Sequence, residues 1–288
     1  MELFQYPYMQ RALIGALVIG LAAPALGIYL VQRRLALIGD GVGHVALTGV
    51  GAGLLLNRSP VLVAVIVATI GAIAIEIVRA RGRTSGDLAL ALLFYGGIAG
   101  GVLLVGLSDA TSANLNAYLF GSLTTISPAD LTTIAVLGAA ILVTMIALRP
   151  ALFAVSHDEE YARVSGLPVR TLNLLIAVAT AVTVTIAMRA VGVLLISALM
   201  VVPVATAQQV TRGFRSTMAA AMALGLFAAG SGVWVAATAD TAPGASVVLV
   251  AIASFLVVAV AGAAWRVVRR RATPTAAAAP EPHEVVLS

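Results

Sequence analysis

Asp40 and His44 stand four residues apart in the apolar stretch LALIGDGVGHVALTGVGAGLLL, residues 35–56. Residues at i and i+4 share one face of a helix. A carboxylate and an imidazole then point the same way and offer an oxygen and a nitrogen to a divalent cation. The placement is costly, because an Asp at the centre of a membrane helix costs about 2.5–3.5 kcal/mol on insertion scales. Spacing alone leaves three uses for the pair. It is a metal path; or Asp40 pairs with Arg33 two turns earlier while His44 bonds a neighbouring carbonyl; or the two groups relay protons.

The geometry required is that of a membrane-spanning helix. If it starts near Leu35, Asp40 lies about 8 Å and His44 about 14 Å along it, at 1.5 Å per residue, which brings His44 close to the bilayer midplane. Six glycines surround the pair: Gly39, Gly41, Gly43, Gly49, Gly51 and Gly53. Gly39/Gly43 and Gly49/Gly53 have the four-residue spacing that lets neighbouring helices approach closely; alternatively, glycine marks a partly unwound span whose carbonyls line a path. Two donors are few for a metal. A homodimer with its two-fold axis along the pore would bring two Asp and two His together, and modest coordination suits a site that must release its ion.

Composition states what surrounds this helix. The 288 residues are 61% hydrophobic and only 10% charged, with mean hydropathy +1.06, against about 25% charged residues in soluble domains. The fold class expected is all-α, a polytopic membrane helical bundle forming one domain over residues 1–271. Runs near the spanning length of about 20 residues fall at roughly 12–31, 35–56, 60–79, 88–107, 131–148, 169–188, 191–207, 216–237 and 245–265, about nine spans. The run at 191–207 is short, which suggests a tilted or partly re-entrant segment.

All seventeen basic residues are arginine. With the N-terminus outside and the C-terminus cytoplasmic, only Arg11, Arg58 and Arg189 fall outside, and the positive-inside rule favours this orientation strongly. The +5 net charge therefore reads as topology, with no nucleic-acid partner implied. Because the chain has no lysine, it cannot build a Walker-type phosphate loop, and ATP hydrolysis, if it drives transport, belongs to another subunit. Cysteine is absent too, which excludes disulfides, iron–sulfur clusters and thiolate metal sites. MELFQYPYMQ has no basic n-region and does not resemble a cleaved signal peptide. No HExxH or GxSxG motif supports an intramembrane hydrolase.

Three connections stand out. Residues 108–130 form a long outer loop expected to contain a short interfacial or re-entrant helix. SHDEEYARVSGLP, residues 156–168, predicts a short cytoplasmic helix over 157–165, with a capping box from Ser156 to Glu159, Gly166 in the left-handed C′ position and Pro168 as a stop. ATPTAAAAPEPHEVVLS, residues 272–288, reads as a disordered Ala/Pro-rich cytoplasmic tail, so His283 is not a ligand. Among other polar residues, Glu76 is expected to pair with Arg79, Asp87 to cap or lie in an inner loop, and Asp109 and Asp240 to be solvated. Asn114 and Asn116 offer weak oxygen donors at the outer mouth. Met188, Met200, Met218 and Met222 are expected to pack, and Pro203 to kink its span.

The stretch RRLALIGDGVGHVALTGVG, residues 33–51, resembles the arginine-pair, L-I-G-D-x-x-x-H signature of permeases in bacterial metal-ion ABC importers of the zinc/manganese/iron group. HDEEYARVSGLP (157–168) resembles that family's acidic EYA…G segment, VGVLLISALMVVPVATAQQV (191–210) its VG-LL-ALLV-PAATA span, and LNAYLFGSL (115–123) its LFG loop. The resemblance implies an ABC importer permease homodimer, a separate ABC ATPase, an extracytoplasmic metal-binding protein that delivers the ion, and transported Zn, Mn or Fe with no permanently bound cofactor. It carries the metal role onto Asp40 and His44 and the ATPase-coupling role onto Asp158, Glu159, Glu160, Tyr161, Ala162 and Gly166. The chain departs from the family's S-H-A-V-L-P-G, reading Gly43-His44-Val45-Ala46-Leu47-Thr48-Gly49, so Ser and Pro are missing while both donors remain. The rival functions are a proton-coupled secondary transporter and an ABC permease for a metal chelate such as a siderophore or cobalamin.

Overall fold

The computed structural model describes residues 5–80, 86–108, 112–122, 124–193 and 195–272. Arg81, Arg83, Asp109, His283 and the tail beyond Ala272 lie outside them, as do the side chains of Asp87 and Asn114. All regular structure among the described residues is helical: α1 (Pro7–Gln32), α2 (Ile38–Leu55), α3 (Pro60–Ala80), α4 (Gly86–Gly106), α5 (Ser112–Phe120), α6 (Pro128–Ala147), α7 (Arg149–His157), α8 (Glu159–Val164), α9 (Val169–Ala187), α10 (Ile196–Val210), α11 (Phe214–Ala239) and α12 (Pro243–Ala272).

Among the described residues, α1, α2, α3, α6, α9, α11 and α12 contain stretches long and apolar enough to cross a membrane. Two shorter apolar helices, Leu90–Gly106 within α4 and α10, bring the set to the nine expected. Proline marks several starts: Pro7, Pro128 and Pro150 occupy the first helical turn of α1, α6 and α7, where a missing N–H costs nothing. Ser127 and Asp130 close a reciprocal capping box at the start of α6.

The turn into α2 is sharp. Arg34 adopts the left-handed conformation, φ 58°. The Leu35 N–H reaches back to Leu30 O and the Arg34 N–H to Val31 O, a Schellman closure with arginine where glycine is usual. This stop allows α2 to begin at Ile38 and puts Asp40 in its first turn, where the helix dipole favours an anion.

Close packing sets α2 in place. Added Cβ atoms at Gly49 and Gly53 would stand 2.5 Å from Ala64 Cα and 2.7 Å from Pro60 Cα of α3, and one at Gly51 would stand 2.8 Å from Leu104 Cβ of α4. Gly97 of α4 lies against the His44 backbone, its missing Cβ 2.6 Å from His44 C. The α1–α10 and α1–α11 crossings use the same device: Gly27 abuts the Met200 carbonyl, and Gly20 and Gly225 face each other's backbone.

Two expectations are corrected. The seventh span starts at Ile196, not 191: residues after α9 form turns, and Gly192 (φ 90°) packs on the backbone of Leu119, Phe120 and Gly121. The helix of 157–165 is six residues, Glu159–Val164. Its cap is Asp158, whose carboxylate accepts from Tyr161 N at 2.9 Å. Ser156 is instead a buried member of α7, so the Ser156–Glu159 capping box does not form. Pro150 opens α7 as a separate element, which competes for Ser156.

Candidate functional site

Asp40 and His44 share one side of α2, as the spacing requires. Asp40 is half-exposed and His44 is 9% exposed. Among the described residues, no hydrogen bond or ion pair engages the Asp40 carboxylate, and Nδ1 of His44 is buried without a partner. The His44 ring meets Phe94 of α4 edge-on, centroids 4.2 Å apart. One turn on, Thr48 Oγ1 donates to Gly97 O at 2.8 Å, which ties α4 alongside. Arg33 does not neutralise Asp40. Its guanidinium turns to Glu159, 3.7 Å away.

That ion pair links the end of α1 to the start of α8. Glu159 also meets Arg163 at 3.1 Å, while Glu76 takes both oxygens to Arg79, at 2.9 and 2.7 Å, as expected from their spacing. Burial depresses the Arg33 pKa, nearby Arg79 adds to the effect, and Glu76 and Glu159 oppose it. A guanidinium stays charged throughout, so Arg33 is a buried cation that depends on these carboxylates. Beside it, a cavity of about 780 Å³ opens between α3, α8 and α9, lined by Glu76, Glu159, Arg163, Arg170 and Asn173.

Helix α8 is closed at both ends. Asp158 caps its start, and at its finish Gly166 takes φ 81°. The Gly166 N–H donates to Arg163 O and the Leu167 N–H to Ala162 O, a full Schellman motif. Ala162 is buried, whereas Glu160, Tyr161 and Val164 face outward. The six expected coupling positions, Asp158 to Ala162 and Gly166, therefore lie on this one short helix and its two caps, Ala162 on the inner side and the others on the outer.

At the other end of the bundle the expected helix of the long loop is α5. Its Tyr118 carbonyl accepts from Val193 N. Arg189 gathers this region: it donates to Tyr118 Oη (3.2 Å), Thr125 O (2.6 Å) and Asp130 Oδ2 (3.1 Å). Sequence placed Arg189 only by topology, since its partners lie 59 to 71 residues away. Asn116 is exposed, Asp240 ends α11 in the left-handed conformation, and Met188, Met200 and Met218 are buried in the core.

Residues 5–262 match the ABC 3 transport family. The chain belongs to that family. It is 30% identical over 250 residues to the manganese transport system membrane protein MntC of Halalkalibacterium halodurans, covering 87% of this chain and 86% of that protein. It is 32% identical over 238 residues to the high-affinity zinc uptake system membrane protein ZnuB of Haemophilus influenzae, covering 83% and 91%. PsaBC from Streptococcus pneumoniae, solved in complex with Fab, superposes with a TM-score of 0.80 at 29% identity, covering 88% of this chain and 92% of that one. This family member is a multi-pass membrane permease of the ABC type, as its helices indicate.

Proposed function

We propose that this chain is the permease subunit of an importer for a divalent first-row transition metal, with Asp40 and His44 as the donors that hold the ion in passage. The observation that carries this is the pair itself: a carboxylate and a buried imidazole nitrogen on one side of α2, neither bonded to a protein partner among the described residues. Relatives named for manganese and zinc transport support the cargo class. Carboxylate and imidazole serve Zn²⁺, Mn²⁺ and Fe²⁺ alike.

In this reading two copies assemble as a homodimer, with the N-terminus outside and the C-terminus in the cytoplasm. A separate ABC ATPase docks on the segment containing Asp158, Glu159, Glu160, Tyr161, Ala162 and Gly166. An extracytoplasmic metal-binding protein delivers the ion. ATP binding pushes on α8 and shifts the balance between outward and inward access.

The test is metal uptake by cells carrying the intact transport system. Asp40→Asn and His44→Ala abolish growth rescue under metal limitation while the protein still inserts and still binds its ATPase. Normal uptake by both variants removes the assignment.

A further inference from the structure

We infer that Ser197, together with the carbonyl of Val193, supplies oxygen donors to the path that Asp40 and His44 line, so that the ion passes between α2 and the broken start of α10. This rests on the assignment of Asp40 and His44 proposed above and extends it to a second helix.

Buried hydroxyls on helices in this chain have a regular solution. Thr180, Thr183, Thr185 and Thr206 each donate to the carbonyl four residues earlier, at 2.6–2.8 Å. Ser197 does not. It sits in the first turn of α10, and the residue four positions back is Val193, outside the helix. Ser197 is 5% exposed and its Oγ is buried without a partner. Buried polar groups are normally satisfied, and an exception asks for an explanation.

The position of that hydroxyl supplies one. Ser197 Oγ stands 2.8 Å from the point a Cβ on Gly39 would occupy. Val193 O stands 3.3 Å from the equivalent point on Gly43. Gly39 immediately precedes Asp40, and Gly43 immediately precedes His44. The break before α10 thus sets one oxygen against the glycine that precedes each donor of α2, one residue along the helix from Asp40 and from His44, and both glycines are what let it come so near. Broken membrane helices whose freed carbonyls line a path are a recurrent way to hold an ion at depth.

The resulting set is carboxylate, imidazole, hydroxyl and carbonyl. Weighted toward oxygen, it matches Mn²⁺ and Fe²⁺ better than ions that prefer sulfur. The positive end of the α10 dipole opposes a cation, which keeps the hold weak enough for release.

The absence of cysteine from this chain makes a direct test available. Ser197→Cys introduces a unique thiol in the full-length permease reconstituted in bilayers. The expected result is that Cd²⁺ slows modification of that thiol by a small methanethiosulfonate reagent about tenfold, the scale on which groups supporting a metal ligand act. Adding Asp40→Asn and His44→Ala should abolish the protection. A thiol modified equally fast with and without Cd²⁺, one protected even without Asp40 and His44, or one no reagent reaches overturns the inference. In cells with the complete system, Ser197→Ala should lower Mn²⁺ uptake about tenfold while largely sparing Zn²⁺; an equal fall for both ions, tracking the amount of protein in the membrane, indicates packing alone and also overturns it. If Asp40→Asn and His44→Ala each leave uptake intact, the underlying assignment fails. If Asp40→Asn abolishes uptake while the thiol shows no metal protection, only the role of Ser197 fails.

Discussion

Arg33 at the end of α1 stands 3.7 Å from Glu159 at the start of α8, and the arginine side chain is 6% exposed while the glutamate is 39% exposed. One partner is therefore trapped and the other reachable. Exposed pairs contribute under about 1 kcal/mol, whereas removing the counter-charge of a buried ion costs about 3–5 kcal/mol. Glu76 shares the neutralisation of Arg33, which places Glu159→Gln between those limits. The expected outcome is a destabilisation of about 1–2 kcal/mol, with a larger loss in coupling between ATP hydrolysis and uptake. Arg33→Met combined with Glu159→Gln should recover stability but not coupling. Thermal unfolding of the purified protein and uptake per ATP hydrolysed check the two parts separately.

Gly166→Ala tests the shape of α8 rather than its charge. An L-residue held at φ 81° is strained, by about 1–2 kcal/mol. The variant should insert normally and bind the ATPase more weakly than the parent, measured by co-purification. Unchanged binding would show that the Schellman turn has no part in docking.

Gly27→Ala and Gly15→Ala form a matched pair on α1. The Cβ at position 27 runs into the Met200 carbonyl, while at position 15 the nearest atom is Ile134 Cδ1 at 3.7 Å, an ordinary contact. Overpacking at Gly27 should cost about 1–3 kcal/mol. The change at Gly15 should be neutral or stabilise by up to about 1 kcal/mol. The unfolding midpoints in detergent read the contrast directly.

Arg189→Gln should loosen the segment 112–130 without unseating α6. The arginine ties Tyr118, Thr125 and Asp130 together, yet the Ser127–Asp130 capping box does not depend on it. Losing a charged donor from partly buried acceptors costs about 1–3 kcal/mol. Faster proteolysis or hydrogen exchange confined to 112–130 is the expected signature, and uniform protection there would refute the role.

Legibility in the sequence followed the range of the interactions. Spans such as α3 and α9 were readable because apolar runs of spanning length need no distant partner, and Glu76–Arg79 because i and i+3 meet on any helix. The close approaches at Gly39, Gly43, Gly49 and Gly53 were likewise readable from their spacing. Ser156 and Asp158 were both fit to cap a helix, and local chemistry could not choose between them; Pro150 decided it by starting α7. The partner of Arg33 was out of reach because Asp40 was seven residues away and Glu159 far along the chain. The start of α10 was hidden for a similar reason: VGVLLISALM is apolar but for Ser197, and the interruption comes at Gly192, held at φ 90° against the backbone of Leu119, Phe120 and Gly121.

A free helix of six residues would unravel in water, and α8 is no longer than that. Because Asp158 fastens its first turn and Gly166 its last, a load applied to Tyr161 or Val164 has no slack backbone in which to dissipate. In the docking proposed above it would pass into Leu167, Pro168 and the foot of α9, with this little segment as a strut.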